Sequence, residues 1–536
     1  MKQIAPLAKR AQMIMIMNPL SELEKAYGSY PDLIAAWGQI QPDKIALDDG
    51  AETLTWRQVS AYVDQMAAQL QADGLAKGQA VAILGSSTVR YMLAFLAAVR
   101  AGGCAAPLTT SAAPLQLQAM LADSGATHLF VDAAKLADLG GLALKPTRII
   151  MLDAPTPEHT DVFGWLAAEG AVVADLGAGP DAPFNIIYSS GTTGTPKGII
   201  HSRQMRWKQT AVGERTGYSA DDAAAMVATP LYSNTTLALA LPALAYGCTL
   251  HMMQKFDVIG YLSRASKHRV SHAMLVPVQY KRIMEHPDFC HYDLSSYRIK
   301  YCTSAPFSAA LKADVVARWP GGLVEIYSMT EGGVVCLLMA HEHPDKLHTV
   351  GIPWNDSEVF TIDEDGKRLP AGSIGELVGR SGTMMSGYQN QPEKTSEASW
   401  FDADGSRWQR MGDIGRVDID GFVELVGRAK DMIISGGFNI YPADLEAALM
   451  QQMGVEEAAV IGVESDRWGE TPVGFISPKP GIRLDTDAIL AATNALLGKT
   501  QRLSALYHID EMPRSHIGKL LKTALRELAQ QYGKAQ

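Results

Sequence analysis

The chain has 536 residues, more than a single hydrophobic core ordinarily serves, so we expect two or more domains. With 47% apolar and 19% charged residues it has the composition of a globular enzyme, and its formal net charge of -10 argues against non-specific binding to nucleic acid or to anionic lipid. Five cysteines without paired spacing indicate reduced thiols, a cytoplasmic protein and no zinc site. No apolar run approaches the roughly 18 residues of a membrane span.

Alternating strands and helices are predicted over the first two thirds of the chain. Amphipathic patterns predict helices at 59–72 and 91–101, and Gly102-Gly103 ends the second. Short apolar runs predict buried strands at 80–84, 128–132, 148–152, 184–188, 199–201, 273–276, 298–302 and 323–327. This alternation predicts parallel sheets covered by helices, with ligands at the carboxyl ends of the strands.

The pattern changes after about residue 350. Short strands at 358–362, 375–378 and 422–425, divided by Asp/Gly turns, predict a small β subdomain. A compact α+β segment follows Arg428, and its last helix is predicted from Leu520 to Gln531. We therefore expect an α/β fold: a large N-terminal domain of stacked, helix-covered sheets with a β subdomain, and a small α+β C-terminal domain.

The densest chemical signal is the run from Tyr188 to Gly198, which reads YSSGTTGTPKG. It lies between two predicted strands and combines hydroxyl side chains, glycines and one lysine, a composition that suits phosphate oxygens. It is not a Walker P-loop, because Pro196 precedes Lys197 and a strand is predicted to follow. The alternative interpretation is a surface loop of small polar residues.

Further motifs follow in order along the chain. Tyr327 ends the strand predicted at 323–327, and Thr330 and Glu331 follow it. The Thr330 hydroxyl suits a phosphate and the Glu331 carboxylate suits Mg²⁺, while Tyr327 can stack on a purine. Three later runs are MGDIG at 411–415, GRAKDMIISGGFNIYP at 427–442 and PRSHIGK at 513–519. Each also has an interpretation without function: the first as a Gly-flanked turn, the second as an interdomain linker, and the third as a surface lysine.

Taken together, the ordered motifs resemble those of the adenylate-forming superfamily, which contains acyl- and aryl-CoA ligases, adenylation domains of peptide synthetases, and luciferases. The resemblance implies that the first run binds the β and γ phosphates of ATP, through Ser189, Ser190, Gly191, Thr192, Thr193, Gly194 and Lys197. It implies Tyr327 on the adenine, with Ser304, Ala305 and Pro306 nearby, Thr330 at the phosphates, Glu331 at Mg²⁺, and Asp413 and Arg428 at the ribose.

The same resemblance implies a mobile C-terminal domain. Domains of 1–429 and 430–536 are expected, with Lys430 as the hinge and Lys519 as the catalytic lysine, assisted by Glu331 and Thr192. Gly436 and Gly437 are expected to line the thiol channel, and Trp468 to touch the nucleotide of CoA. The acid pocket is expected at Tyr232, Ser233, Met274 and Pro277.

Several positions depart from the family's usual pattern: Ser233 for an aromatic residue or histidine, Thr303, Ser304 and Ser328 for glycine, Met411 for threonine, and His516-Ile517 for the usual Thr or Asn before the lysine. The first puts the gating of the acid site in doubt. No Asp or Arg is evident in the pocket to hold a second charged group, which favours an apolar monocarboxylic acid.

The function implied is ATP-dependent activation of a small-molecule carboxylic acid as an acyl-adenylate, followed by transfer to CoA. An aryl or arylpropenoic acid is favoured over a medium- or long-chain fatty acid. The alternatives are an enzyme that loads a carrier protein and a non-catalytic nucleotide-binding protein. The joint presence of Lys197, Glu331, Asp413, Arg428 and Lys519 argues against the last. A monomer and a homodimer remain open.

Overall fold

The computed structural model describes residues 17–140, 142–144, 146, 148–189, 197–211, 216–435, 438–465, 467–498, 501–515 and 518–533. The described helices, in chain order, are α1 (Pro19–Leu23), α2 (Tyr30–Ile40), α3 (Trp56–Ala72), α4 (Val89–Arg100), α5 (Pro114–Ser124), α6 (Ala133–Asp138), α7 (Arg203–Thr210), α8 (Asn234–Ala245), α9 (Val258–Lys267), α10 (Pro277–Met284), α11 (Ala309–Arg318), α12 (Pro392–Glu397), α13 (Pro442–Met450), α14 (Thr486–Leu496) and α15 (Lys522–Gly533).

The described strands, in chain order, are β1 (Ile45–Asp48), β2 (Thr53–Thr55), β3 (Ala80–Leu84), β4 (Cys104–Pro107), β5 (His128–Val131), β6 (Arg148–Met151), β7 (Pro183–Ser189), β8 (Lys197–Ser202), β9 (Ala224–Val227), β10 (Thr249–Met252), β11 (His272–Leu275), β12 (Ile299–Cys302), β13 (Gly322–Met329), β14 (Gly332–Met339), β15 (Ile352–Pro353), β16 (Glu358–Ile362), β17 (Gly375–Arg380), β18 (Gly387–Tyr388), β19 (Ser399–Phe401), β20 (Arg407–Val417), β21 (Val423–Arg428), β22 (Ile433–Ser435), β23 (Phe438–Ile440), β24 (Val455–Ser465), β25 (Gly469–Pro478) and β26 (Ala505–His508).

Two large sheets organise the first part of the chain. Sheet 1 has the order β18-β8-β7-β4-β3-β5-β6, and sheet 2 has the order β15-β14-β13-β12-β11-β9-β10-β1-β2. Strands β9 to β13 of sheet 2 pair in parallel, and so do β3, β4, β5 and β6 of sheet 1. The β7–β8 and β13–β14 pairs are antiparallel hairpins. Both hairpins carry residues of the candidate site.

Helices pack on both faces of each large sheet. On β3, Val81 and Ile83 belong to a core that α2, α3, α4 and α8 share with strands of sheet 2, whereas Ala82 and Leu84 face a second core under α5. A strand buried on both faces has no polar alternation, which is why its sequence is continuously apolar. The predicted stacking of helix-covered sheets is confirmed.

Two smaller sheets complete the described part. Sheet 3 has the order β16-β17-β20-β19 with β21 paired to β20, and sheet 4 has the order β23-β22-β25-β24 with β26 paired to β25. Helices α13 and α14 pack on one face of sheet 4 around Leu445 and Ile489, and α15 packs on the other through Leu525. The predicted β subdomain and C-terminal α+β segment are therefore present.

The predicted start of the last helix is wrong by two residues. The helix begins at Lys522, and Leu520 instead forms an isolated bridge with Arg514 in the turn that precedes it. The positive φ of Gly518 reverses the chain there, so the apolar pattern of Leu520 belongs to the turn. No helix in the described ranges is long and apolar enough to cross a bilayer.

Two contacts join the region of sheet 4 to α10. Lys281 Nζ forms an ion pair with a carboxylate oxygen of Glu456 on β24. A Cβ added to Gly518 would come within 2.7 Å of Val278 Cγ1, so the turn before α15 lies directly against the first turn of α10. These contacts bring the end of the chain to the carboxyl side of sheet 2.

Candidate active site

The β7–β8 hairpin carries both ends of the predicted phosphate loop. Ser189 and Lys197 pair as the last residue of β7 and the first of β8. Ser190, Gly191, Thr192, Thr193 and Gly194 lie outside the described residues. The Lys197 ammonium lies 5.4 Å from the ring centroid of Tyr388, a cation–π contact that holds the amine beside the aromatic face.

Thr330 and Glu331 form the two-residue turn of the β13–β14 hairpin, because Met329 pairs with Gly332. Gly332 has a φ of +85°, and a Cβ there would come within 2.3 Å of the Thr383 carbonyl oxygen, so glycine is required. The Glu331 carbonyl accepts a hydrogen bond from the Met385 amide at 2.8 Å. The turn is thereby fixed against the segment that leads into β18.

Tyr388 connects Glu331 to Lys197. Its hydroxyl donates to Glu331 Oε1 at 2.9 Å, and its backbone pairs with Ile199 of β8. Tyr388 thus holds one carboxylate oxygen of Glu331, and among the described residues no donor to Oε2 is present. Burial, and then the negative charge of Glu331, raise the pKa of Tyr388 above its usual value, which keeps the phenol protonated as a donor. The sequence analysis missed Tyr388.

Asp413 and Arg428 lie opposite each other on β20 and β21 of sheet 3. Arg428 Nε lies 2.8 Å from Asp413 Oδ1, and the Tyr327 hydroxyl donates to Asp413 Oδ2 at 2.7 Å. Asp413 is buried, which raises the pKa of its carboxyl, while the charges of Arg428 and Lys519 oppose this shift. The structure thus brings together three residues predicted to bind adenosine.

Lys519 reaches this group from the C-terminal segment. Gly518 adopts a φ of +76°, and the turn is closed by hydrogen bonds from the Ser515 amide to the Lys519 carbonyl and from the Gly518 amide to the Ser515 carbonyl, both 2.8 Å. Partial desolvation of the ammonium group, followed by the positive charges of Arg428 and Lys430, lowers the pKa of Lys519. Lys519 is close enough to Asp413 for the two charges to shift each other's pKa.

Lys430 lies in the single 3-10 turn Ala429–Asp431 that joins β21 of sheet 3 to β22 of sheet 4. Just beyond it, Gly436 and Gly437 lie outside the described residues. Trp468 is 48% exposed between β24 and β25, with the Arg467 guanidinium 4.7 Å from its ring centroid. In the described part of the chain, Trp468 forms no hydrogen bond or ring contact with another predicted site residue.

The predicted acid pocket lies at the carboxyl ends of strands of sheet 2. Ser233 is the N-cap of α8, Met274 is buried in β11, and Pro277 is the first residue of α10. Tyr232 precedes the cap, and Ala305 and Pro306 follow β12. The four residues expected to surround the acid therefore come from β11 and from the starts of α8 and α10, and Ala305 and Pro306, expected near the adenine, lie beyond the neighbouring strand β12.

Ser304 has a φ of +80°, a conformation that favours glycine, and its hydroxyl lies 2.5 Å from Thr235 Oγ1. The serine therefore occupies a glycine-like conformation and gains a hydrogen bond to α8. Thr235, which the sequence analysis missed, gives this wall of the pocket a pair of hydroxyls. No local sequence pattern marks Thr235, because its partner is nearly seventy residues away.

Comparisons with known proteins agree with these motifs. The family of AMP-binding enzymes matches residues 34–389, and the AMP-binding enzyme C-terminal domain matches residues 444–519. The chain is 34% identical to a feruloyl-CoA synthase from Amycolatopsis sp over 505 residues, covering 93% of this chain and 98% of that protein. It is 30% identical to an indoleacetate–CoA ligase from Aromatoleum aromaticum, covering 91% and 96%.

Among solved structures, the amide bond synthetase McbA from Marinactinospora thermotolerans aligns with a TM-score of 0.82 at 26% identity, covering 93% of this chain and 99% of that one. The chain belongs to the family of AMP-binding enzymes, the adenylate-forming superfamily that the motifs predicted. The predicted class of enzyme, an AMP-forming acid–thiol ligase, is confirmed.

Proposed function

We propose that this chain is an ATP-dependent aromatic acid–CoA ligase, which forms an acyl-adenylate and then an acyl-CoA thioester. The observation that carries the proposal is the approach of Lys519, from the end of the chain, to the Asp413–Arg428 pair on sheet 3. A lysine in that position can reach the α-phosphate of a nucleotide whose ribose is held by the pair. The named relatives support CoA as the acceptor and an aromatic acid as the substrate.

In the first step a carboxylate oxygen of the acid attacks the α-phosphorus of ATP, and the bond to the β-phosphate oxygen breaks to release pyrophosphate. We assign the ribose to Asp413 and Arg428, the adenine to the region of Tyr327 and Ser304–Pro306, and the β and γ phosphates to Lys197 and its loop. The Lys519 ammonium offsets the negative charge that develops between the attacking carboxylate and the α-phosphate.

The residues present fit Mg²⁺, which prefers oxygen ligands. Glu331 would hold it through Oε2, because Tyr388 already occupies Oε1 and no described residue donates to Oε2. The Thr330 hydroxyl, next to it in the same turn, would bind a phosphate oxygen. When bound, Mg²⁺ neutralises phosphate charge. Tyr388 keeps the carboxylate oriented toward it.

In the second step the CoA thiolate attacks the acyl carbonyl, and AMP leaves with the electron pair of the acyl–oxygen bond. We place the domain boundary at Lys430, giving domains of 1–429 and 430–536, and assign Lys430 as the hinge that moves Lys519 away between the steps. Gly436 and Gly437 would then face the thiol, and Trp468 the nucleotide of CoA. The reduced thiols of the described cysteines accord with a cytoplasmic enzyme.

The proposed acid is aryl or arylpropenoic. Met274 is almost fully buried, and Tyr232, Ser233 and Pro277 add one aromatic, one small polar and one apolar group to the same edge of sheet 2. Such a lining suits a flat, largely apolar acid with a polar substituent. It offers no charged side chain to a second carboxylate.

The test is pyrophosphate release with ATP and Mg²⁺ over benzoates, cinnamates, indoleacetate and fatty acids, each with and without CoA. Release that rises with an aromatic acid, and a thioester formed only when CoA is present, is the expected result. Release without any thioester contradicts CoA as the acceptor. Release with fatty acids alone contradicts the aromatic substrate.

A further inference from the structure

A buried polar network connects sheet 1 to the turn that carries Thr330 and Glu331. Its members are Asn185 on β7, His201 on β8 and Arg206 on α7, with exposed fractions of 0%, 0% and 1%. Arg206 Nε donates to Asn185 Oδ1 at 2.7 Å, and Arg206 Nη2 lies 2.8 Å from His201 Nδ1. At the other end, His201 Nε2 lies 2.7 Å from the Thr330 carbonyl oxygen.

The donors in this network fix the tautomer of His201. A guanidinium has only donors, so His201 Nδ1 must accept from Arg206, and the Asn185 amide nitrogen lies 3.2 Å from the same atom. The single ring proton is then on Nε2, where it is donated to the Thr330 carbonyl. Burial and the charge of Arg206 hold the pKa of His201 well below its usual range, so the ring stays neutral.

Both carbonyls of the Thr330–Glu331 turn are therefore held from outside the hairpin. His201 donates to the Thr330 carbonyl, and the Met385 amide donates to the Glu331 carbonyl. Fixing the two peptide planes fixes the directions in which the Thr330 hydroxyl and the Glu331 carboxylate leave the backbone. Because His201 is four residues beyond Lys197 on β8, one strand sets both the lysine and the turn.

Burying this network costs more folding free energy than a purely structural role would justify. Arg206 has no carboxylate within ion-pair distance in the described part of the chain, and a buried guanidinium without a counter-charge costs stability. Well-packed apolar side chains ordinarily serve a core at least as well as buried charge. A requirement for a permanent donor at the Thr330 carbonyl accounts for this cost.

We propose that His201 is a positioning residue for nucleotide activation, holding the Thr330–Glu331 turn in register with Lys197, and that Asn185 and Arg206 fix its tautomer. The inference rests on the proposed function, because it assigns this turn to the ATP phosphates. It adds a residue outside the motifs through which the family was identified.

The matched control is His272 on β11, which is also fully buried. His272 is the first residue of its strand. Its Nε2 lies 2.7 Å from the Thr216 carbonyl oxygen and its Nδ1 lies 2.8 Å from Ser271 Oγ, so each ring nitrogen has one hydrogen-bond partner, as in His201. The variants are His201→Leu, His201→Gln, His272→Leu and His272→Gln. Glutamine keeps one donor and one acceptor, whereas leucine keeps neither.

We expect His201→Leu to lower kcat/KM for ATP in acid-dependent pyrophosphate exchange by about 100-fold, the cost of a misplaced catalytic group. The KM for the acid should not change, and His201→Gln should recover most of the loss. His272→Leu should lower Tm about as much as His201→Leu without the effect on ATP. Equal kinetic losses in the two leucine variants, or no recovery with glutamine, would overturn the positioning role.

Binding provides a readout that does not depend on turnover. By calorimetry, the gain in ATP affinity on adding Mg²⁺ should be present in the wild type and in both His272 variants and be reduced in His201→Leu. An unchanged gain in His201→Leu contradicts the inference. The proposed function fails separately, since a wild type without acid-dependent exchange contradicts it, whereas exchange that His201→Leu retains in full contradicts only the role of His201.

Discussion

Lys197 and Lys519 are held in very different ways. Lys197 begins a strand of sheet 1 that is paired on both sides, and its amine lies over the ring of Tyr388. Lys519 follows a glycine turn that is closed by hydrogen bonds among Ser515, Gly518 and Lys519, while Arg514 beside it pairs with Glu457 on β24 and the turn lies against Val278 of α10. Lys197 is therefore held by a paired strand of sheet 1, whereas the position of Lys519 depends on the contact between the turn before α15 and α10. Such a difference suits one lysine that binds nucleotide throughout and another that serves a single step.

Removing Lys519 should have the largest effect. Lys519→Ala should lower the rate of adenylation by about a thousandfold, because the charge at the α-phosphate is no longer offset. Thioester formation from an acyl-adenylate supplied directly should be nearly unchanged. Lys479→Ala, on the exposed edge of the same region, is the control and should leave both steps intact. Equal loss of both half-reactions would contradict the division between the two lysines.

Restricting the backbone at Lys430 should affect thioester formation rather than adenylation, the reverse of the effect expected for Lys519→Ala. Proline fixes φ, so Lys430→Pro should hinder rotation at the proposed hinge in Ala429–Asp431. We expect adenylation to be retained and thioester formation to fall by roughly tenfold or more, as for a hindered hinge. Lys430→Ala, which keeps the backbone free, should retain both steps. The two rates are measured as pyrophosphate exchange and as thioester formed from added acyl-adenylate.

A substitution of Tyr388 tests the part of the site around Lys197, which sheet 1 holds in place. Tyr388→Phe keeps the aromatic face beside Lys197 but removes the hydrogen bond to Glu331 Oε1. Loss of one hydrogen bond to a charged group should raise the Mg²⁺ concentration needed for the half-maximal rate by about tenfold. The KM for the acid should stay constant. If the Mg²⁺ dependence is unchanged in Tyr388→Phe, the hydrogen bond from the Tyr388 hydroxyl is not what orients the Glu331 carboxylate.

The pH dependence of adenylation should report the environment of Lys519. Its pKa is lowered, and the reaction needs the ammonium form, so the rate should fall as pH rises through a value below the ordinary 10.5. Lys430→Gln removes one neighbouring positive charge, which raises this pKa and moves the alkaline limb to higher pH. Lys394→Gln on α12 should not move it. A shift to lower pH in Lys430→Gln would have the wrong sign for the proposed geometry.

The sequence predicted the parts of the site that local patterns carry. The strands predicted at 184–188 and 323–327 were recognised from their mostly apolar residues, and in the structure β7 and β13 continue to Ser189 and Met329, directly before motif residues. Tyr388 was missed because β18 has only two residues and acquires its place by pairing with β8, nearly two hundred residues earlier. His201 and Thr235 were missed for the same reason: their partners, Thr330 and Ser304, lie far along the chain, and no local period records such pairing.

The smallest effect is expected at the contact between Lys281 and Glu456. Glu456→Gln should slow adenylation by about two- to fivefold, the size of a partly exposed ion pair, because the position of Lys519 against α10 is less favoured. The exchanged pair Lys281→Glu with Glu456→Lys should restore the rate, and Asp138→Asn, which removes an ion pair far from this contact, should have no effect. Restoration by the exchanged pair would show that the docked orientation itself, rather than either side chain, limits the first step. If Glu456→Gln is indistinguishable from the wild type, the Lys281–Glu456 pair does not help to hold the turn before α15 against α10.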